Sequence, residues 1–251
     1  MTGVRSTLEA VIGSPSDILD LVRRMELFPQ LLRRQEEEAI VQLVSLPPQW
    51  IADQRQALLG DQPLSEWLSA KGWQESDLDL HLARSEALRR FAAQHFGPAM
   101  EEQFLASQGG HDQIVYSLLR VRDPALAQEL WIRLEEGETT FAEAAAQFSE
   151  GPEAARKGVI GPMPMAQIQP IELAQLLRSL RPGQVHAPTR ISEWIVLLRL
   201  EQLNPARFDA EMREMLLQQQ LNAFLDDRVS QRLRGEIPEA LHYHSDSKSQ
   251  P

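Results

Sequence analysis

The sequence contains no cysteine among its 251 residues, which excludes disulfides and zinc sites built on thiolates. No apolar run approaches the roughly 18 residues of a membrane-spanning helix, so we expect no direct membrane insertion. Residues 1–14 hold no apolar stretch of signal-peptide length and little basic charge, which predicts a cytoplasmic protein. Phosphate-binding Gly-x-x-x-x-Gly-Lys-Ser/Thr and nucleophile Gly-x-Ser-x-Gly motifs are also missing, and we expect no cofactor.

The net charge of the protein narrows the range of possible binding partners. The formal net charge of −11 disfavours a nucleic-acid partner, because neutralising phosphates needs clustered Lys and Arg. A solvated acidic surface is the main interpretation, although such a surface could attract basic clients. Residues Glu36, Glu37 and Glu38 are expected to form one solvated helix face. The histidines are isolated or too far apart to share a metal ion, so no metal site is expected.

The stretch from Gln113 to Glu201 organises the chain. Two short apolar runs, residues 114–121 and 194–200, are rich in β-branched and aromatic residues and predict strands. Between them we expect helices over residues 124–136, 141–148 and 171–180, a glycine loop, and a Pro-Gly turn into a further strand. Residues 162–165, Pro-Met-Pro-Met, cannot continue a helix and are expected to form an extended rim. The predicted order is strand, helix, helix, glycine loop, helix, strand, strand.

Several short motifs in this stretch, taken in their order, resemble those of the parvulin family of peptidyl-prolyl cis-trans isomerases. These motifs are Ala127 with Leu130, Gly137-Glu138-Thr139-Thr140-Phe141, Ala145, Ser149, Gly158-Val159-Ile160-Gly161 and Leu180-Arg181-Pro182-Gly183-Gln184-Val185. No single motif is specific, so the resemblance rests on the ordered set, which covers roughly a third of the chain. The resemblance implies a small antiparallel sheet surrounded by helices, with a groove for proline-containing segments.

The positions that react in parvulins are occupied by other residues here. The resemblance places the first-strand histidine at Ser117, the loop aspartate or cysteine at Gly151, and the last-strand histidine at Trp194. The pocket phenylalanine falls near Arg178. The resemblance therefore supports the fold, and it assigns no catalytic residue.

The candidate substrate-binding residues are Ser117, Met163, Met165, Ile168, Arg178 and Trp194. Ser117 retains one hydroxyl, or it is a buried serine bonded to a neighbour. Trp194 presents an apolar wall to proline, or it fills core volume. The methionines and Ile168 line a groove that adapts to varied clients, or they are ordinary core and rim residues.

Helices flank this stretch on both sides. Residues 14–110 predict an all-helical module, and residues 206–236 predict a long helix whose apolar stripe must dock on another element. This arrangement is similar to SurA-type and PrsA-type chaperones, which implies that the last helix returns to the N-terminal module. The predicted fold is α+β, with a parvulin-like domain over residues 111–203 and a polar, disordered tail over residues 237–251.

These observations favour a polypeptide-binding chaperone with a degenerate parvulin-like groove. Its expected partners are unfolded or proline-containing polypeptides. One alternative is an active peptidyl-prolyl isomerase with substituted site residues. Another is a dedicated partner of a peptide or protein export machine.

Overall fold

The computed structural model describes residues 15–244 of the protein. The first residue of the expected helical module, Ser14, and the part of the expected tail from Ser245 onwards lie outside the described residues. The protein divides into two compact units: Glu102–Asp209 forms one, and the residues before and after that segment form the other. Within residues 15–244, no helix is long and apolar enough to cross a membrane.

The first unit is helical. Its helices are α1 (Pro15–Arg24), α2 (Phe28–Leu43), α3 (Pro48–Leu59), α4 (Leu64–Lys71), α5 (Glu75–His95) and α10 (Ala210–Leu233). Helix α4 ends at Gly72, which adopts the left-handed conformation with a φ of 66°. Helix α5 begins with a capping box in which Gln74 and Asp77 exchange side-chain-to-backbone hydrogen bonds.

Helices α2, α5 and α10 form the core of the helical unit. Each has an apolar stripe with helical spacing, and the stripes meet in the interior. The largest fully buried side chains there include Ile40 from α2 and Leu78 and Phe91 from α5. From α10, Leu221 and Leu225 are each 1% exposed. The long C-terminal helix therefore completes the core begun by the N-terminal helices.

The acidic cluster of α2 is not a solvated face. Glu36 and Glu37 are each only 6% exposed, so the expectation for these two residues is wrong. Arg228 of α10 donates to Glu36 with a nitrogen–oxygen distance of 2.6 Å, and Arg232 donates at 3.0 Å. These cations lie 192 and 196 positions further along the sequence, which is why the local pattern concealed the pairing.

The second unit contains a four-stranded sheet with helices on its faces. Its elements are α6 (Met100–His111), β1 (Gln113–Val121), α7 (Pro124–Glu135), α8 (Phe141–Phe148), β2 (Val159–Pro164), α9 (Ile171–Ser179), β3 (Val185–Ile191) and β4 (Trp194–Asn204). Helix α6 starts at the boundary between the units. The predicted α+β fold with a small antiparallel sheet is confirmed. The expected rim at residues 162–165 lies largely in strand β2.

The sheet order is β2-β1-β4-β3, with every pair antiparallel. Strands β1 and β4 are central, and their opposite faces contribute to two apolar clusters. One cluster contains Leu118 and Leu198 and includes α9, while the other contains Leu119 and Leu197 and includes α7 and α8. Burial on both faces explains why β1 and β4 appear as continuous apolar runs.

Capping residues and a glycine determine where the helices and the loop around the sheet begin and turn. Asp123 caps α7 by accepting a hydrogen bond from the Ala125 amide at 2.8 Å, and Thr140 with Glu143 forms a capping box on α8. Gly158 has a φ of 83°, and a Cβ there would lie 2.8 Å from the Ala145 side chain. This position therefore accepts only glycine without rearrangement.

Candidate functional site

An apolar groove lies on the α9 side of the sheet. Its volume is about 160 Å³, and its apolar wall is formed by Tyr116, Leu118, Ile160, Leu173, Trp194 and Val196. Arg120, Gln169 and Ser192 supply polar groups along the same wall. Among residues 15–244, no histidine lines this groove. The arrangement suits an apolar side chain or a proline ring with polar main-chain groups beside it.

Strand alternation explains the composition of the groove. Because successive side chains of a strand point to opposite faces, Tyr116, Leu118 and Arg120 share one face of β1. Trp194 and Val196 share the corresponding face of β4, which is the direct neighbour of β1. Two adjacent rigid strands therefore position the floor of the groove.

Tyr116 is the phenol among the residues that line this floor. The side chain is 4% exposed, and its burial raises the pKa of the phenol above the ordinary value of 10.0, while the charge of Arg120 lowers that pKa in part. The phenol therefore remains neutral at physiological pH and keeps its proton. It is able to donate a hydrogen bond to a carbonyl oxygen of a bound peptide.

A charged pocket of about 270 Å³ adjoins the apolar groove, and the two share Arg120 and Ile160 as lining residues. Glu153, whose side chain is 2% exposed, accepts a hydrogen bond from Arg120 Nε at 2.9 Å. Ser149 donates to the same carboxylate oxygen at 2.6 Å. The buried carboxylate thereby holds the Arg120 guanidinium between the two cavities.

Gly151 leaves the space that this ion pair occupies. A Cβ at this position would meet Glu153 Oε1 and Arg120 Nε at 2.5 Å each. The backbone of Gly151 is extended, with a φ of −101°, so available space and not backbone strain favours glycine. Gly151 is the predicted counterpart of the loop aspartate or cysteine of parvulins. This position therefore has no side chain here, and the Glu153 carboxylate lies beside it.

Trp194 lies in the apolar groove with its ring against two arginines. The guanidinium carbon of Arg122 is 4.4 Å from the ring centroid, and that of Arg120 is 6.0 Å from it. Such cation–π contacts orient the indole. Trp194 is partly buried against the α9-side cluster, so it both packs on the core and contributes to the groove.

Ser117 lies on the opposite face of the sheet. It is 1% exposed, and its hydroxyl donates to Glu201, which also pairs with Arg199 at 2.7 Å. The alternation of β1 directs it to the side of Leu119 and Val121, away from the groove. The structure therefore does not bring Ser117 together with Trp194.

The remaining candidates are spread over core, rim and surface. Met165 and Ile168 are 2% and 1% exposed and belong to the α9-side core. Met163 is partly buried and packs against the same core. Arg178 is exposed on α9. Of the predicted binding residues, only Trp194 lines the groove, whereas Tyr116 and Arg120 line it without having been predicted.

The sheet, the groove and the glycine loop lie in a segment that is similar to a known domain family. Residues 121–202 match the family model described as "Rotamase: PPIC-type PPIASE domain", which confirms the resemblance for this segment of the protein.

Two bacterial proteins called chaperone SurA are similar in sequence. The protein of Xylella fastidiosa (strain 9a5c) is 30% identical over 105 residues, covering 38% of this chain and 22% of the relative. The protein of Xanthomonas euvesicatoria pv. vesicatoria (strain 85-10) is 34% identical over 80 residues, covering 32% of this chain and 17% of the relative. The matched segment thus spans about a fifth of the length of these relatives.

Two solved structures of the peptidylprolyl isomerase PrsA cover more of the sequence. The Bacillus cereus structure is 18% identical, covers 90% of this chain and 89% of its own, and has a TM-score of 0.49. The Bacillus anthracis structure is 17% identical, covers 84% of this chain and 99% of its own, and has a TM-score of 0.48.

Proposed function

We propose that the protein is a polypeptide-binding chaperone whose parvulin-like groove holds extended or proline-containing segments. The observation that supports this most is the kept apolar groove with Trp194 at one wall and no histidine among its lining residues. The family match over residues 121–202 and the similarity to chaperones called SurA agree with it.

The physical chemistry of proline isomerisation favours binding over catalysis. Rotation about the imide bond has a barrier of roughly 18–20 kcal/mol and breaks no covalent bond. A catalyst must hold the imide twisted, whereas a chaperone needs only to bury the apolar residue and satisfy the nearby backbone. Trp194 and Leu118 provide apolar surface that buries such a residue. The loop position Gly151 has no side chain that could hold the imide twisted.

Exchange spectroscopy with peptides tests this proposal. Cis/trans exchange rates and line widths of a panel of X-Pro tetrapeptides are measured by NMR, with and without the full-length protein. We expect broadened lines without faster exchange. Trp194→Ala should remove the broadening, because it deletes one wall of the groove. Ser117→Ala is the matched control and should leave the broadening unchanged, because that side chain lies on the other face of the sheet.

A second candidate function is isomerisation by substituted residues. Tyr116 and Arg120 favour it, since both line the groove and both are hydrogen-bond donors at neutral pH. Donors of this kind stabilise the carbonyl oxygen of a twisted imide. Faster exchange that is lost in Tyr116→Phe would establish this function and replace the binding proposal.

We propose that the two compact units are the domains of the protein, a helical module and a parvulin-like domain. Residues 102–209 expressed alone should give a dispersed amide spectrum, and a collapsed spectrum would contradict this division.

Cellular location and an export partner stay predictions. The comparisons lend no support to the cytoplasmic location, and cell fractionation tests it. A dedicated export partner is tested by pulldown from the native lysate, where a broad range of clients would count against it.

A further inference from the structure

A second, polar pocket lies in the helical unit, between helices α2, α5 and α10. Its volume is about 480 Å³. The polar residues that line it are Arg34, Glu37, His81, Arg84, Ser85 and Gln218. It belongs entirely to the helical unit and shares no lining residue with the apolar groove.

The acid that lines this polar pocket is already engaged. The Glu37 side chain is 8% exposed and accepts hydrogen bonds from Arg33 Nε at 3.3 Å and from Arg34 at 2.6 Å. Arg33 is further paired with Asp226 at 2.5 Å. Glu37 therefore compensates one of the two pocket arginines, Arg34 and Arg84, and leaves a net positive charge.

Arg84 has an unused donor. Its Nε is buried and has no hydrogen-bond partner among residues 15–244. The nearest carboxylate oxygen, Glu37 Oε2, lies 3.8 Å away, which is beyond hydrogen-bonding distance. A buried guanidinium N–H without an acceptor is rare in folded proteins, because water or a partner normally satisfies it. Arg84 thus carries a buried N–H that is not hydrogen-bonded within the described residues, although Glu37 is near enough to pair with its charge.

We propose that this polar pocket binds a carboxylate of a polypeptide client. The choice of a polypeptide rests on the proposed chaperone function. Two arginines against one glutamate leave a single positive charge, which a monoanionic carboxylate neutralises and a dianionic phosphate would exceed. Arginine also matches the planar carboxylate with paired N–H groups. The source of the carboxylate is either the C-terminus of the client or one of its Asp or Glu side chains.

The Arg84 Nε–H resonance of the full-length protein reports on binding in the pocket that Arg84 lines. Three proline-free probes are titrated at about 0.15 M ionic strength: acetyl-Gly-Ser-Gly-Ala with a free carboxylate, the same peptide as its amide, and acetyl-Gly-Glu-Gly-Ala amide. We expect one or both carboxylate peptides to shift the resonance and the uncharged amide to leave it in place. The pattern identifies the source of the carboxylate.

Charge-removing variants complete the test. Arg84→Gln should weaken binding about tenfold, as expected for one lost charge-assisted hydrogen bond. Arg34→Gln serves the same purpose at an exposed position if the first variant does not fold. Arg89→Gln is the matched control on the same helix, outside the pocket, and should bind as the wild type does.

Any of three results overturns the carboxylate assignment. They are equal shifts with acid and amide peptides, a response to inorganic phosphate alone, and unchanged affinity in both pocket variants. Trp194→Ala, which disables the apolar groove, should leave the Arg84 response intact. A failure of the groove proposal and a failure of this one are therefore seen separately.

Discussion

Replacing Gly151 with alanine should destabilise the parvulin-like unit, although alanine tolerates the backbone conformation at this position. The added Cβ would lie 2.5 Å from both Glu153 Oε1 and Arg120 Nε, whereas ordinary contact begins near 3.4 Å. Glu153 Oε2 would be closer still, so the ion pair must retreat by roughly 1 Å. That displacement breaks the Ser149 and Arg120 hydrogen bonds to a carboxylate that is 2% exposed.

Leaving a buried charge without its partners costs about 3 kcal/mol, so Gly151→Ala should lower the free energy of unfolding by about that amount. Urea unfolding followed by tryptophan fluorescence measures the loss, and hydrogen exchange should locate it in residues 149–158. Gly109→Ala is the matched control: its Cβ meets nothing within 4 Å, and within a helix it should stabilise by about 0.5–1 kcal/mol.

A double substitution tests the cause of the effect. In a Glu153→Ala background the carboxylate is gone and Arg120 loses the partner that holds its Nε beside residue 151, so Gly151→Ala should cost less than about 1 kcal/mol. Equal costs in the two backgrounds, or a wild-type unfolding midpoint for the single variant, would refute the reasoning.

Two further predictions concern the helical unit. Arg228→Met should lower the free energy of unfolding by about 3 kcal/mol, because it leaves buried Glu36 with Arg232 alone; urea unfolding of this variant and of Arg228→Met with Glu36→Leu should show recovery in the pair. Arg89, with Arg90, holds the pKa of Glu86 at about 2, below its ordinary 4.5. The stabilisation by the ionised Glu86 is present above the ordinary pKa and is lost as the pH falls towards 2. The free energy of unfolding should therefore fall between pH of about 5 and about 3, and Glu86→Gln should make that fall smaller by about 1 kcal/mol. An unchanged pH dependence in this variant would contradict the prediction.

Strands β1 and β4 were predictable because both are buried on two faces and therefore form continuous apolar runs. Strand β2 was not predictable in the same way. It lies at the sheet edge and contains Pro162 and Pro164, which remove two backbone donors. Edge strands tolerate proline, but a local pattern cannot distinguish such a strand from an extended loop.

The site was less accessible from sequence than the fold. A shift of one residue along a strand moves a side chain to the opposite face, and this separates Ser117 from the groove residues Tyr116 and Leu118. Both faces of β1 carry apolar residues, so the sequence pattern does not show which face meets the groove. The burial of Glu36 was hidden for a different reason, since its partner Arg228 lies 192 positions away.

That separation has a consequence for biosynthesis. The helical unit is interrupted by the whole of Glu102–Asp209, so a ribosome finishes the inserted unit before it makes α10. Until then α2 and α5 lack the helix that closes their core, and the Glu36 carboxylate lacks Arg228. The inserted unit, which is contiguous in sequence, is free to fold first. Because of this order of synthesis, the helical unit completes its folding only when its last helix, α10, has been made.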